Sequence, residues 1–571
     1  MNVLLYAISC WLLFLLLCEL FQNKSLLFPL ICSLLYTAHP IHTEVVNNIK
    51  SRDEILCFLF GILSIYLFVK YYRNSSLLLL ISGSLSFFLS LISKETGITF
   101  LLIIPLSLLL FENISKKKIV NITIILISIS VIYFLIRMIV LKDLRLNTSD
   151  YVLNNSLNGA PDYISRQATA FYILLRYILL LIFPHPLSCD YNFSQIKIHT
   201  LSDPLPLIGI LFYAGITLYA FVIFRKNKII SFAILFYLFS LAPVSNIFFI
   251  NGTAMAERFL YIPSLGFCFV LTTVLLKLTK TETDKSNYKN LKLFITFNKP
   301  VFLLLFVIVG LYSVKTFSRS QNWKDNVTIY GHDVEVSKNS ASAHFLYAYS
   351  LIYDVLPKDH DSIRKDSIID KAIIELNKSI KIAQISDYYR ELGHCYDIKK
   401  DYESAISSFK IVIQNDKMSD NLDTSHLAES FYKLGSQMNA ISQFDKAINN
   451  FDSAIKYAPN LSVAYNDKGV SFLNKGDYKE ALPFFEKTIA LDPKCEKAYM
   501  NMGCVYSNTN QYEKAFEYFN KAIELDSTDT QTYYFMSITY KHAGNTFKAK
   551  EYFEKATNSF GEVSEKFNYA K

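Results

Sequence analysis

The nine cysteines of this 571-residue chain include no CxxC or CxxxC pair, which removes the spacing expected of a zinc site or a redox motif. Cys10, Cys18, Cys32, Cys57 and Cys268 lie in apolar runs, where a thiol behaves as a small hydrophobe. No disulfide framework is expected. Charge is also scarce. Only 19% of the residues are Asp, Glu, Lys or Arg and the net charge is a modest +8, so nucleic acid is not an expected partner. The first apolar run, 3–20, lacks the basic segment and small-residue cleavage site of a secretory signal, and it reads as a retained helix.

What the chain has is apolar mass: 52% of it is hydrophobic and 15% aromatic. The distribution is uneven. Leu, Ile, Phe, Val and Tyr dominate from Met1 to Phe317, and from Ser318 onward the sequence is polar and rich in Ala, Tyr, Lys and Glu. The break predicts an all-α chain with a polytopic helical membrane domain over 1–317 and a repeat array over 341–560, joined by a junction at 318–340 and followed by a tail at 561–571.

Apolar runs at 3–20, 26–39, 54–71, 77–92, 97–111, 119–140, 205–224, 229–250, 260–279 and 299–317 predict about ten spans. A further run at 168–184 carries Arg176 and ends in Phe183-Pro184-His185-Pro186. It is read as a re-entrant or interfacial helix. The basic loops at Lys24, Lys70 to Arg73, Lys116 to Lys118, Arg225 to Lys228 and Lys277 to Lys299 then share the cytoplasmic side. Both termini fall outside, in a periplasm or an ER-type lumen.

This topology puts the unusual polar motifs on one face: His39 to Glu54, Ser93-Lys94-Glu95, the 141–167 loop, Ser188-Cys189-Asp190-Tyr191 and Ala256-Glu257-Arg258-Phe259. Each alone could be a helix cap or an interhelical ion pair. Ionisable groups held against a bilayer are expensive, and their clustering on one face favours a polar site at the outer surface. The sequons Asn147-Thr148-Ser149 and Asn154-Asn155-Ser156 lie in an outer loop, but that triplet is common by chance.

The second half is periodic. Gly435, Gly469 and Gly503 are 34 residues apart. With them run Leu434 and Lys468, then Ala447, Ala481, Ala515 and Ala549, then Phe451, Phe485, Phe519 and Phe553, with Pro459 and Pro493 closing two repeats. This is the tetratricopeptide pattern, an α-solenoid of paired helices. Gly393, Tyr396, Ala405 and Phe409 add an upstream repeat before an insertion at 414–422, and a degenerate repeat is expected around Ala348 and Ala372. Tyr465, Asn466, Tyr499, Asn501, Tyr533 and Tyr534 are expected to be exposed on first helices and to line a peptide groove, although a rigid spacer would share the fold.

Several segments together resemble the transmembrane and TPR repeat-containing O-mannosyltransferase family and its bacterial relatives. They are Asn2-Val3-Leu4-Leu5, HPIHTEVV with RDE (39–54), SKETGIT (93–99), FPHPLSCDYNF (183–193), AERFLYIPSLGFC (256–268) and the junction at Arg319 to Trp323. The resemblance implies a GT-C glycosyltransferase membrane fold. It also implies transfer of a sugar, usually mannose, from a polyprenyl-phosphate donor to a Ser or Thr hydroxyl of a protein. Such transfer needs a carboxylate to accept the hydroxyl proton and cations to steady the leaving phosphate. Glu44, Asp53, Glu54 and Glu257 are the candidate catalytic carboxylates; His39, His42, Arg52, Lys94, Glu95 and Arg258 are the candidates for binding donor phosphate or sugar.

His39, His42 and Glu44 could ligate a metal, but no second cluster of ligand spacing accompanies them, and neither metal nor cofactor is expected. The implied partners are the lipid bilayer, the lipid-linked sugar donor and a protein or peptide acceptor in the TPR groove. Family members usually begin with a further membrane helix and an outer loop whose acidic pair supplies the base. Met1 falls where the second family helix begins, so that helix and loop are expected to be missing here. The alternative is a non-catalytic, membrane-anchored TPR scaffold. A transporter of lipid-linked sugars would leave the repeats unexplained and would place its ionisable groups near mid-membrane. The motifs favour a bacterial inner membrane with a periplasmic TPR domain, the ER membrane being the alternative.

Overall fold

The computed structural model describes residues 1–22, 25–112, 115–141, 155–191, 194–281, 291–415 and 421–558. Lys24, the Asn147 sequon, much of the 141–167 loop, the centre of the 414–422 insertion and the 561–571 tail lie outside the described residues. Among those described, the elements are all helical, and they form two compact units. The first is Met1–His360 with Lys381–Ala383; the second is Asp361–Ile380 with Gln384–Lys571.

Among the described residues of the first unit, six helices are long and apolar enough to cross a membrane: Asn2–Leu20, Ile49–Asn74, Lys116–Val140, Tyr163–Ile182, Pro204–Val222 and Lys299–Asn322. The run read as a re-entrant or interfacial helix is the continuous helix Tyr163–Ile182. Five shorter apolar helices, Leu27–Ala38, Leu77–Ser93, Glu95–Phe111, Lys228–Val244 and Ser264–Leu278, account for the remaining runs. Helix Lys116–Val140 leaves Val120, Ile124, Ile127 and Val131 exposed, and helix Lys299–Asn322 leaves Leu303, Phe306, Val307 and Val314 exposed. Apolar faces of that extent suit acyl chains rather than water.

Small residues let these helices approach closely, as they do in membrane bundles. A Cβ on Gly209 would lie 2.5 Å from the Phe171 carbonyl oxygen, and one on Gly266 would lie 2.5 Å from that of Ala233. One end of helix Arg52–Asn74 is tied by ion pairs of Lys70 and Arg73 to Glu19 and of Arg73 to Glu112. Glu54, at the other end, is about 28 Å away by helical rise.

The expected junction is part of the first unit. Helices Asn326–Val336 and Ala341–Ser350 belong to it, and the unit boundary at His360 falls between Ala348 and Ala372. The second unit is an array of helix pairs. Gly393, Gly435, Gly469 and Gly503 each face the ring of the Phe sixteen residues later, and a Cβ at these positions would lie 2.6–2.8 Å from that ring. Glycine is required there because the paired helices cross ring against backbone.

Candidate active site

The His39–Glu54 segment does not extend into solvent. It is a chain of short turns, Pro40–His42, Thr43–Asn47 and Ile49–Ser51, between two helices, and it buries His39, His42, Glu44 and Glu54. His39 Nδ1 accepts the Ile41 amide hydrogen at 3.2 Å, and Nε2 donates to the Leu181 carbonyl at 3.1 Å. His42 lies 2.8 Å from the Tyr6 hydroxyl through Nδ1 and 2.8 Å from Ser264 Oγ through Nε2. Ser264 donates its own proton to the Tyr261 carbonyl, so its oxygen accepts from His42 Nε2–H. Burial pushes the His39 imidazole down to about 4 and His42 down as well, so both rings are neutral. Every ring nitrogen of the two is engaged within the chain, and their shared effect is to tie the loop to three distant helices.

The charged candidates pair with one another. Glu44 receives the Arg258 backbone amide at 2.9 Å and Arg258 Nη1 at 2.7 Å. Nη1 is the only guanidinium nitrogen of Arg258 bonded among the described residues, and the side chain is partly exposed. Lys94 bridges Glu54 at 2.6 Å and Asp53 at 3.0 Å. Arg52 donates to Asn2 Oδ1 at 3.2 Å, and Asn2 in turn donates to the Asn48 carbonyl. Glu95 pairs with Arg137 at 3.0 Å on the exposed surface.

Glu257 is the exception among the carboxylates. It is fully buried, with Oε1 accepting from the Ser188 amide at 2.5 Å and the Tyr191 hydroxyl at 2.9 Å. Its Oε2 has no hydrogen-bond partner among the described residues. Burial raises its carboxyl to about 8 despite the lowering effect of Arg319. A group of that proton affinity can exchange a proton near neutral pH.

Four contributors to this centre, Arg319, Asp333, Ser188 and Tyr191, carry no role in the sequence reading. Asp333 Oδ2 accepts the Cys189 amide at 2.8 Å, and its Oδ1 lies 3.5 Å from Arg319 Nη1. Ser337 donates to the Asp190 carbonyl and Ser340 to the Asp190 carboxylate. The segment after helix Lys299–Asn322 therefore latches the Ser188–Tyr191 loop beneath Glu257. Arg176 lies over the Tyr191 ring at 5.9 Å. The only signals in the sequence were the SCDY motif and the junction at Arg319, neither of which names a partner.

In the repeats, the candidates expected to be exposed are not. Asn466 and Asn501 are 8% and 7% exposed, and Asn501 Nδ2 donates to Asn466 Oδ1 across successive repeats. Tyr465, Tyr499 and Tyr533 are half-buried, each with its hydroxyl donating to a carbonyl six residues earlier, on Pro459, Pro493 and Ser527. That regularity makes them ties between a first helix and the preceding turn.

Residues 154–217 match the family described as Protein O-mannosyl-transferase TMTC, DUF1736, and residues 462–495, 496–529 and 530–559 match tetratricopeptide repeats. The TMTC match contains Arg176, Ser188 and Tyr191. The Caenorhabditis elegans Protein O-mannosyl-transferase F38B6.6 is 28% identical over 57% of this chain and 44% of its own length. The human Protein O-mannosyl-transferase TMTC3 is 24% identical over 82% of this chain and 52% of its own. The chain thus spans about half the length of the curated relatives it matches. Among solved structures, MamA 41-end from Desulfovibrio magneticus RS-1 aligns at 25% identity over 30% of this chain and 94% of its own, with a TM-score of 0.26. The chain is a multi-pass membrane protein whose residues 154–217 match the TMTC family model and whose C-terminal part carries TPR repeats, and it is similar to the transmembrane and TPR repeat-containing protein O-mannosyltransferases.

Proposed function

We propose that this protein is a membrane glycosyltransferase that moves a sugar, mannose by analogy with its named relatives, from a polyprenyl-phosphate donor to Ser or Thr hydroxyls of proteins. The observation that carries this reading is Glu257: a buried carboxyl titrating near neutrality, with one oxygen unpartnered, beside the Glu44–Arg258 pair. In this reading the ionised form of Glu257, which gains population as pH rises towards 8, takes the acceptor hydroxyl proton on Oε2. Arg258 turns the free part of its fork towards the leaving phosphate. The buried histidines and Lys94 hold the loop in place. The TPR array binds the acceptor or a partner. The membrane is a bacterial inner membrane with the repeats in the periplasm.

The test is sugar transfer by membrane preparations of the full chain from polyprenyl-phosphate-mannose to an acceptor protein. Glu257→Ala and Arg258→Ala should abolish transfer; undiminished transfer in both overturns the site. For orientation, a periplasm-active reporter fused after Lys571 should be active, and activity of a cytoplasm-only reporter there would contradict the topology.

A further inference from the structure

Both hydrogen bonds to the Glu257 carboxyl come from one short turn. The Ser188 amide and the Tyr191 hydroxyl donate to Oε1 at 2.5 Å and 2.9 Å, and the Ser188 amide also lies 3.1 Å from the Tyr191 oxygen. The donors converge on one oxygen, while Oε2 is buried with no partner among the described residues. A carboxylate can accept about four hydrogen bonds across its two oxygens. An arrangement this lopsided settles which oxygen stays bare, and that is a matter of aim as well as of stability.

The turn does not keep that aim alone. Ser337 Oγ donates to the Asp190 carbonyl at 2.7 Å and lies 3.0 Å from Ser188 Oγ. On either side of it, Asp333 Oδ2 accepts the Cys189 amide at 2.8 Å and Ser340 Oγ donates to the Asp190 carboxylate at 3.2 Å. A little further on, the Ser194 amide donates to the Asn339 carbonyl at 3.1 Å. Asp333, Ser337 and Ser340 are spaced by four and then three residues, the spacing of one helix face, and all three are fully buried. Ser337 closes helix Asn326–Val336, and Ser340 caps helix Ala341–Ser350. Three short polar side chains thus face one turn and bind it at three successive residues, Ser188, Cys189 and Asp190.

Burial pushes the Glu257 carboxyl up, and the Arg319 charge, the Tyr191 hydroxyl and the Ser188 amide pull it back down. Two of those three opposing groups belong to the turn. Ser337 sits at the centre of the row that holds it, and it is uncharged. Removing its hydroxyl therefore changes no charge near Glu257, and any effect there must pass through the position of the turn.

We propose that Ser337 is a positioning residue for Glu257, acting through the Ser188–Tyr191 turn so that both donors meet Oε1 and Oε2 is left to the acceptor hydroxyl. The proposal rests on the reading of Glu257 as the base. It adds that the segment after the last long apolar helix belongs to the catalytic centre.

The test follows, against pH, the protonated-carboxyl infrared band that Glu257→Gln removes, in the full chain in nanodiscs. Its midpoint should rise by about one pH unit in Tyr191→Phe and also in Ser337→Ala, because each withdraws support from the ionised form. The double variant should fall short of the sum of the two shifts, as expected of residues that act on one turn. If Ser337→Ala shows no cooperative thermal transition, Ser337→Cys, a weak donor, carries the same expectation. A folded Ser337 variant that keeps the wild-type midpoint, even at a lowered unfolding temperature, makes Ser337 a mere brace and overturns the proposal. Full additivity in the double variant overturns it too. Sugar transfer measured across the same pH range separates this proposal from the reading beneath it. A shifted band with no transfer by wild type upholds the positioning and defeats the transferase reading. Transfer by wild type with an unshifted band in Ser337→Ala does the reverse.

Discussion

Glu44 and Arg258, 214 residues apart in the chain, meet twice: Glu44 accepts the Arg258 amide at 2.9 Å and its guanidinium at 2.7 Å. Glu44 is 1% exposed, so its charge is stabilised almost wholly by this partner. Arg258→Ala is expected to cost about 3 kcal/mol, the scale for stranding one member of a buried pair. The double variant Glu44→Gln with Arg258→Ala should cost less than Arg258→Ala alone. Thermal unfolding of the detergent-solubilised chain, followed by intrinsic fluorescence, makes the comparison.

Glu257 gives a pH signature. Its carboxyl rises from an ordinary value near 4.5 to about 8 in the folded chain, so between those values the folded state keeps a proton that the unfolded state releases. Its contribution is fully present below about pH 4.5 and is lost as pH rises through about 8. Glu257→Gln should remove this share of the pH dependence. Between pH 5 and about pH 8 the wild-type unfolding temperature should fall relative to that of the variant, and the difference should level off towards pH 9. Parallel curves would contradict the assignment.

Within the repeats, Gly469→Ala and Gly503→Ala should each destabilise the array by about 1–3 kcal/mol, the usual cost of overpacking. The new methyl groups would lie 2.7 Å from Phe485 and 2.6 Å from Phe519. Pairing Gly469→Ala with Phe485→Leu should recover part of the loss. Urea unfolding followed by circular dichroism would show the order of stabilities.

The turn inside each helix pair makes the opposite prediction. Gly476 and Gly544 sit there at φ +89° and +78°, whereas Lys400, Ser442 and Asn510 hold the same left-handed turn at 63°, 60° and 59°. Ser442→Gly should stabilise the array by up to about 1 kcal/mol, because glycine adopts this conformation without a Cβ penalty. A lowered unfolding midpoint would contradict it.

What the sequence discloses tracks how local the physics is. The TPR period is local: Gly469 and Phe485 are sixteen residues apart and repeat 34 residues on, so the pattern is visible without coordinates. Glu257 and Arg258 were visible as unusual charges in an apolar setting. Their partners were not, because Tyr191 and Ser188 lie 66 and 69 residues before Glu257, and Arg319 lies in a different helix well beyond it. The two histidines were legible as special and misleading in role, since only the fold shows Leu181, Tyr6 and Ser264 occupying their nitrogens. Asn466 and Asn501 look exposed on a lone amphipathic helix. Stacking the next repeat buries them, a consequence of the array rather than of either helix.

The most direct measurement of the central claim is incorporation of mannose from polyprenyl-phosphate-mannose into Ser and Thr residues of a protein by the purified full chain in proteoliposomes. The label would be read after alkaline β-elimination. Label is expected in the wild-type reaction and none with Glu257→Ala, while the variant keeps its helical circular dichroism. Equal labelling by wild type and a folded Glu257→Ala variant would contradict it, as would no labelling by wild type.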